Sequence, residues 1–253
     1  MEIQANRILI TGGCGGIGLG IGEYFARIGK QVTLVDRNTA PAADLMRRFN
    51  TVRCIEIDIT DYAAVDERIG ALASDDEAPQ VLVNGAGWSP KYDPQGQPWK
   101  PWTMPMSHWQ DVMAVNIDAA FNLCRLLLPS MIKANYGRIV NIASVAAHTG
   151  GGGVAPVHYV TGKAALQGMT KAIAGSVGQY NITVNAINPG RIDTQMIRDV
   201  PDEVNQGYAA RIPLKRLGTP ADIAHAVAYL CSDHADYLTG TQIEVNGGLY
   251  MGS

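Results

Sequence analysis

Residues 7–28 read RILITGGCGGIGLGIGEYFARI, and this stretch decides the fold. A run typical of a buried strand, Arg7 to Thr11, leads into a glycine-rich turn, after which Ile21 and Phe25 recur at helical spacing. Glycines let the backbone turn sharply and let an anion approach the first amides of the following helix, where the helix dipole favours negative charge. A tight turn without a ligand would use the same glycines, so this cluster alone predicts a strand, a turn and a helix.

The rest of the chain alternates short β-rich runs with longer segments of helical period. Further strands are predicted at 31–36, 51–57, 80–84, 137–143, 183–188 and 242–246. Helices are predicted at 16–29, 41–49, 61–73, 107–134, 157–179 and 220–231, with a short one near 194–210. Such alternation is typical of right-handed β-α-β crossovers. It predicts an α/β, doubly wound Rossmann-type fold with a seven-stranded parallel sheet flanked by helices on both faces.

Length and composition predict one folded domain. With 253 residues and no obvious linker, residues 1–253 are expected to form a single domain that needs no metal or disulfide. The hydrophobic fraction of 47% and the charged fraction of 17% are close to those of globular proteins. A net charge of −3 offers no basic surface for phosphates, which makes nucleic acid and anionic membranes poor candidate partners. The expected ligand is therefore a small molecule.

The cysteines and the apolar segments indicate the compartment. The four cysteines are scattered, with no C-x-x-C pair and no histidine at metal-ligand spacing, so we expect reduced thiols and no metal site. The first ten residues lack the layout of a secretory signal. No apolar run reaches the roughly 18 residues that a membrane-spanning helix needs. A cytoplasmic location is the resulting expectation.

Residues 88–109 differ from the rest of the chain in composition. They contain all four tryptophans and five prolines. Proline at this density predicts a long irregular insertion loop on the strand-end side of the sheet. Its aromatic rings could form one wall of a binding pocket, or they could pack onto their own domain or a partner subunit, and the sequence favours neither.

The second predicted strand ends in Asp36, eighteen positions after Gly18. In a nucleotide-binding unit, a carboxylate at this place accepts hydrogen bonds from both ribose hydroxyls of the adenosine half of NAD. It would repel the 2′-phosphate of NADP by about 4 kcal/mol at roughly 4 Å and an effective dielectric of about 20. Asp36 therefore favours NAD, although Arg37 could partly neutralise a phosphate and weaken that preference.

Tyr159 and Lys163 are spaced i, i+4 on one predicted helix, which places both side chains on the same face. Ser144 directly follows the strand predicted at 137–143, and Asn116 lies in the preceding long helix. A tyrosine beside a lysine can act as an acid or base, because the ammonium lowers the pKa of the phenol. The pair alone is a common pattern, and the two further residues make it more specific.

With these residues, the chain closely resembles the single-domain branch of the short-chain dehydrogenase/reductase family, nearly from end to end. The family's T-G-x-x-x-G-x-G fingerprint is matched by Thr11, Gly12, Gly16 and Gly18. Its other motif residues are matched, in chain order, by Asp58, Ile59, Asn84, Ala86, Gly87, Asn116, Ser144, Tyr159, Lys163, Pro189, Gly190 and Thr194. The tail from 237 to 251 is similar to that of bacterial β-ketoacyl-carrier-protein reductases and related sugar and alcohol dehydrogenases.

The resemblance implies an oxidoreductase that interconverts a secondary alcohol and a ketone by hydride transfer, with NAD preferred over NADP. It implies that Tyr159 is the general acid/base and that Lys163 lowers its pKa and binds the nicotinamide ribose. Ser144 would bind the substrate oxygen, and Asn116 would hold a water molecule in a proton relay. The expected cofactor-binding residues are Gly12, Gly16, Ile17, Gly18, Asp36, Arg37, Asp58, Ile59, Asn84, Ala86, Gly87, Tyr159, Lys163, Pro189, Gly190, Ile192 and Thr194.

Two alternative functions and one assembly also follow from the resemblance. The first is an NADPH-dependent 3-oxoacyl-carrier-protein reductase, against which Asp36 argues, as does Gly15, which stands where many NADP-using relatives carry a basic residue. The second is a non-catalytic NAD sensor, which would be expected to lack Tyr159 or Lys163. The family also suggests a homotetramer. Gly162, a poor helix former, is expected to allow close approach of the cofactor or a neighbouring helix.

Overall fold

Seven parallel strands form one sheet in the order β3-β2-β1-β4-β5-β6-β7. The computed structural model describes residues 2–74, 77–153, 155–194 and 202–252. Each neighbouring pair of strands runs parallel, and the predicted fold class is confirmed. The strands are β1 Arg7–Thr11, β2 Gln31–Asp36, β3 Val52–Glu56, β4 Val81–Asn84, β5 Gly137–Ile142, β6 Ile182–Pro189 and β7 Gln242–Val245.

Burial explains why the central strands are mostly apolar, with a few polar side chains such as Asn141 that are hydrogen-bonded inside the core. All residues of β4 are buried, as are those of β5 and β6, whereas the outer strands β3 and β7 are partly exposed. A strand covered by helices on both faces cannot alternate polar and apolar residues, because neither face meets water. The central strands therefore carry the core.

Helices cover both faces of the sheet. On one face, α1 and α9 bury Ile21, Phe25, Ile223 and Val227 against the sheet. On the other face, α3, α5 and α7 pack over a separate apolar cluster that includes Leu123. The helices are α1 Gly16–Arg27, α2 Ala43–Arg48, α3 Tyr62–Ser74, α4 Met106–Met113, α5 Ala119–Ala134, α6 Ala146–Thr149, α7 Val157–Val177, α8 Asp202–Arg211 and α9 Pro220–Leu230.

The helix predicted at 107–134 is interrupted. A π-helical segment, Ala114–Asp118, separates α4 from α5. The extra residue per turn is invisible to a search for 3.6-residue periodicity, and such segments often occur at functional sites. Helix α4 also begins at Met106, directly after the last proline of the insertion loop, so the predicted end of that loop at 109 is wrong. Pro105 itself has extended backbone angles and ends the loop.

Two glycine- and polar-rich segments were harder to predict. Residues Gly150–Gly153 form a 3₁₀ helix directly after α6. The short helix predicted near 194–210 corresponds to α8, although residues 195–201 lie outside the described residues.

One helical stretch passes a membrane-span test by length and composition. It is Met106–Ala134, 29 residues with a mean hydropathy of 1.3, and 44% of its most apolar window is buried inside the protein. Its apolar residues, including Leu123 and Leu127, form part of the core beneath the sheet. The burial of these residues is that of a core helix.

Candidate active site

The chain leaves the sheet in opposite directions after β1 and β4, which opens a crevice at the carboxyl ends of these strands. Gly12, at φ +62°, borders this crevice, and a Cβ atom there would lie 2.8 Å from Ala86 Cα. A Cβ on Gly16 would lie 2.7 Å from Thr194 Cβ. Bare backbone is therefore required on both sides of the groove. Such a glycine-lined cradle at the start of a helix fits a dinucleotide pyrophosphate.

Thr11 connects the turns that follow β1 and β4. Its Oγ1 accepts hydrogen bonds from Gly85 N at 3.2 Å and from Ala86 N at 3.4 Å. Gly85 thus contributes through its backbone. Its neighbour Gly87 also lies in the site, since a Cβ there would lie 3.0 Å from Lys163 Nζ and 3.2 Å from Asn116 Oδ1.

The adenosine end of the groove is acidic. Asp36 Oδ2 accepts a hydrogen bond from Cys14 N at 3.1 Å, which joins the acid to the glycine-rich turn. Asp58 is exposed, and hydrogen bonds from the backbone and side chain of Thr60 lower the pKa of its carboxyl, as does the nearby Arg37. Arg37 therefore lies close enough to Asp58 to be partly neutralised by it.

Tyr159, Ser144 and Lys163 come together at the end of β5. Ser144 is hydrogen-bonded to Tyr159, and its Oγ also accepts a hydrogen bond from Ala146 N at 3.1 Å. Lys163 is only 3% exposed, and its Nζ lies 5.9 Å from the centre of the Tyr159 ring. That Nζ donates a hydrogen bond to Ile142 O at 2.8 Å. The structure thus brings three of the four predicted catalytic side chains together, and the fourth, Asn116, lies nearby.

The pKa shifts of this cluster differ from the sequence-based expectation. Burial raises the pKa of Tyr159, and the hydrogen bond from Ser144 opposes that shift. Burial also lowers the pKa of Lys163 to about 8. Desolvation disfavours the charged form of both groups. In the protein alone, burial therefore outweighs the hydrogen bond from Ser144 in setting the pKa of Tyr159.

Asn116 lies in the π-helical segment and is 1% exposed. Its Nδ2 donates to Trp88 O at 2.8 Å and to Val112 O at 2.9 Å, while its Oδ1 accepts from Trp88 N at 3.3 Å. Gly162 allows α7 to approach this segment, because a Cβ there would lie 2.9 Å from Asn116 Cβ. The expected close helix contact at Gly162 is present, and the role of Asn116 in a proton relay stays a prediction.

The loop after β6 forms the far side of the groove. Gly190 N donates to Val245 O at 3.0 Å, and Val145 N donates to Pro189 O at 3.1 Å. Ile192, 6% exposed, forms a parallel bridge with Gly218. These contacts fix the backbone of the loop that leads to Thr194, and cofactor binding by Ile192 and Thr194 stays a prediction.

Three of the predicted cofactor-binding side chains point into the protein or pack against it. Asn84 is 3% exposed, and its Nδ2 donates to Asn141 Oδ1 at 2.8 Å inside the sheet. Ile59 is buried in the cluster beneath α3 and α5, and Ile17 packs on the core beneath α1. Any contact of these three residues with a cofactor would be through backbone, and the structure explains their side chains by packing.

The insertion loop packs onto its own domain through aromatic rings. His108 stacks on Trp99 with ring centres 4.6 Å apart and meets His158 edge-on at 5.1 Å. His158 is fully buried, burial lowers its pKa to about 4, and neither ring nitrogen has a hydrogen-bond partner within the described parts of the chain. Trp102 remains 82% exposed. The sequence left open whether the rings of this loop line a pocket or pack onto protein. Trp99 packs onto its own domain.

A buried polar network beside the site was missed by sequence reasoning. It consists of side chains from four elements: His148, Gln167, Asn188 and Glu244. Gln167 follows Lys163 by the same four positions that separate Lys163 from Tyr159, so helical spacing could have indicated its face. Arg191, beside the site, donates to Asn205 Oδ1 at 2.8 Å and lies over the Tyr208 ring.

Comparison with known proteins identifies relatives along nearly the whole chain. Residues 12–250 match a family model described as Enoyl-(Acyl carrier protein) reductase. The 3-oxoacyl-[acyl-carrier-protein] reductase of Escherichia coli (strain K12) is 34% identical, covering 99% of this chain and 100% of its own. A crystal structure of a 3-oxoacyl-[acyl-carrier protein] reductase from Brucella melitensis is 36% identical with a TM-score of 0.89, covering 98% of this chain and 93% of its own. The Brucella melitensis reductase with bound NAD matches with the same identity and coverage and a TM-score of 0.87.

Proposed function

Because the chain belongs to the short-chain dehydrogenase/reductase family, it is an oxidoreductase of alcohol and keto groups, and we propose that it reduces a ketone with NADH. The observation that carries the proposed cofactor is Asp36, held at the adenosine end of the groove by the Cys14 amide at 3.1 Å. The proposed direction follows the relatives named as reductases, and Tyr159, hydrogen-bonded to Ser144, is the group that would protonate the carbonyl oxygen.

Four residues of the chain have separate roles in the proposed reduction. When bound, the nicotinamide supplies the hydride to the carbonyl carbon. Tyr159 donates its proton to the carbonyl oxygen, and Ser144, already hydrogen-bonded to the phenol, orients that oxygen. Lys163 contributes a buried positive charge that stabilises the phenolate left behind. Asn116 holds the backbone of Trp88 and closes the site on the side of the insertion loop.

The proposed preference for NAD over NADP rests on the negative charge at the adenosine end of the groove. Asp36 and Glu56 are register partners at the ends of β2 and β3, and two carboxylates at this end of the groove would disfavour a 2′-phosphate. Gly15 offers no positive side chain in the glycine-rich turn, and the exposed Arg37 contributes to lowering the pKa of Asp58. One unit charge about 4 Å from another at an effective dielectric near 20 is worth roughly 4 kcal/mol, an upper bound for this partly exposed site.

The test is a panel of ketones and secondary alcohols assayed with NADH, NADPH and their oxidised forms in parallel. The wild type should favour NADH, and Asp36→Asn should narrow the ratio of kcat/KM for the two cofactors by about 10 to 1000-fold, because it removes the charge but keeps an oxygen for Cys14 N. Asp44→Asn, at an exposed acid on α2, is the control. An unchanged ratio in Asp36→Asn would show that the ribose assignment is wrong.

A second candidate function is 3-oxoacyl-carrier-protein reduction. It is supported by relatives of that name, which are 33–34% identical over nearly the whole chain. A 3-oxoacyl thioester assayed beside simple ketones separates the two candidates. Faster reduction of the thioester with NADPH would favour the second, whereas faster reduction of a small ketone with NADH would favour the first.

We also propose a cytoplasmic homotetramer, in which the helices α3, α5 and α7 form one contact. An open apolar groove crosses this face, where Phe121 is 54% and Tyr62 40% exposed beside Ile117 and Met169. A large exposed apolar patch is typical of an interface. Light scattering should give four copies for the wild type and fewer for Phe121→Asp. Ile28→Asp, at an exposed position on the opposite face, should leave the mass unchanged.

A further inference from the structure

His148 lies one turn beyond Ser144 and contacts three other elements through one atom. Its Nε2 is 3.0 Å from Asn188 Nδ2 on β6, 3.1 Å from Gln167 Nε2 on α7 and 3.2 Å from Glu244 Oε1 on β7. Helix α6, which carries His148, has only four residues. A helix this short is not stable by itself, so tertiary contacts must fix its position.

The polar side chains of this network meet at His148 Nε2. Asn188 is fully buried, and its amide nitrogen donates to Glu244 Oε1 at 2.6 Å. That nitrogen also lies 3.0 Å from His148 Nε2, while the Asn188 oxygen accepts from Gln167 Nε2 at 2.9 Å. Nε2 can pair with either kind of neighbour, since its lone pair accepts from an amide and its N–H form donates to the Glu244 carboxylate. The ring also stacks flat on Tyr250, with centres 4.9 Å apart and planes 5° apart.

The network connects the two sides of the active site. Asn188 directly precedes Pro189, whose carbonyl accepts a hydrogen bond from Val145 N at 3.1 Å. Val145 in turn follows Ser144, so a side-chain contact and a backbone contact join the serine turn to the loop after β6. Glu244 lies beside Val245, whose carbonyl binds Gly190 N at 3.0 Å.

We infer that His148 is a positioning residue that sets the distance between Ser144 and the Pro189–Gly190 turn. This inference rests on the proposed function, in which Ser144 orients the substrate oxygen and the Pro189–Gly190 turn borders the nicotinamide. His148 thereby controls the approach of the carbonyl carbon to the hydride donor and does not contribute to cofactor binding itself. A misplacement of about 1 Å can cost on the order of a hundredfold in rate.

Three variants separate positioning from packing. His148→Phe keeps the ring on Tyr250 but removes the polar atom Nε2, and His148→Gln restores a polar amide near the position of Nε2. His225→Phe is the matched control, because His225 is an exposed histidine that also contacts a tyrosine ring, Tyr24, at 5.5 Å. If His148→Phe does not fold, Gln167→Leu withdraws one donor from the same atom and should give a smaller loss of the same kind.

The measurements are kcat, KM for ketone and cofactor, and the primary isotope effect with reduced cofactor deuterated at C4. His148→Phe should lower kcat by about 10 to 100-fold, leave the cofactor KM within about twofold and raise the isotope effect, since hydride transfer becomes slower relative to product release. His148→Gln should recover most of the rate. A fall in stability with unchanged kcat and isotope effect would refute positioning.

Hydrogen exchange gives a readout that needs no turnover. Exchange across residues 143–149 should be at least about tenfold faster in His148→Phe than in the wild type, and His148→Gln and His225→Phe should match the wild type. Unchanged exchange in His148→Phe would overturn the inference. A wild type that reduces no ketone would refute the proposed function, and the exchange comparison would still decide whether His148 holds the serine turn.

Discussion

The half of the sheet built from β1–β3 and the half built from β4–β7 form their sides of the site by different means. In the first half, the groove is a backbone surface, in which Gly12 and Gly16 provide space because they lack side chains. In the second half, buried amides carry the structure: Asn141 binds Asn84 and Thr170, each at 2.8 Å.

The difference teaches what each half tolerates. A backbone-built groove is sensitive to any added Cβ atom, because the opposing atoms already lie at contact distance. A network of buried amides is sensitive to the loss of any one partner, because a stranded donor or acceptor away from water is costly. Three predictions test this division, and a fourth concerns a site outside both halves.

The largest effect is expected at the chemical centre of the second half. Tyr159→Phe should lower turnover by about 10² to 10⁴-fold, because it removes the proton donor and leaves the ring in place. Cofactor affinity, measured by fluorescence titration of the reduced nicotinamide, should stay within about twofold of the wild type. Comparable turnover in the variant would remove Tyr159 from its proposed role.

In the first half, Gly12→Ala should lose cofactor binding and also destabilise the fold. Its Cβ would lie 2.8 Å from Ala86 Cα, and its φ of +62° is unfavourable for alanine. Gly29→Ala is the matched control, because Gly29 has φ +78° with nothing within 4 Å of its Cβ. Gly29→Ala should lower the free energy of unfolding by about 1–2 kcal/mol through backbone strain alone. Gly12→Ala should lower it clearly more, as measured by urea denaturation. If both variants lose the same free energy of unfolding, the groove can widen to accept the extra Cβ atom.

A smaller effect is expected in the amide network. Asn141→Ala strands partners on both sides, Asn84 and Thr170, and should lower the free energy of unfolding by about 1–3 kcal/mol. Thr170→Val tests whether Thr170 and Asn141 are coupled. It should lower the free energy of unfolding by less in the Asn141→Ala variant than in the wild type. Additive costs in the two backgrounds would show that the pair does not act as a network.

The smallest effect is expected outside both halves, at the start of α9. Asp222 and Thr219 form a capping box, and Arg216, followed by Thr219, lowers the pKa of the Asp222 carboxyl. A depressed pKa in the folded state gives stability that is present above the unfolded value near 4 and is lost as pH falls below it. Asp222→Asn should cost about 1 kcal/mol at pH 7, and the gap in melting temperature between the variant and the wild type should narrow steadily as pH falls from about 4 toward 2. A gap independent of pH would contradict this assignment.

The sequence predicted the first half better than the second for a physical reason. Glycines in a strand–turn–helix unit have few alternative uses, and an acid such as Asp36 at a strand end is easily recognised. An asparagine inside a strand is ambiguous, because its role depends on a partner distant in sequence. Asn84 was therefore expected to contact the cofactor, while its side chain binds Asn141 in the core. The His148 network depends on four such distant partners.

The helical boundaries show a related limit. The strands lie within two residues of their predicted ends, since burial on both faces gives continuous apolar runs. The helix predicted at 107–134 contains a π-helical segment that keeps the apolar pattern while rotating Asn116 toward Trp88 and Val112. Local composition cannot report that rotation. The pKa of Tyr159 was also expected to fall, and burial raises it in the protein alone.

The hydrogen bond from Cys14 N to Asp36 has a consequence for how this enzyme could evolve. A lineage that exchanged the acid for a small or basic residue, in order to accept a phosphorylated coenzyme, would at the same step deprive the turn before α1 of its anchor. The first mutant along that path would gain a new specificity on a loosened loop. A second change that re-anchors the Cys14 amide must accompany it, so drift between the two coenzymes is expected to proceed by paired substitutions.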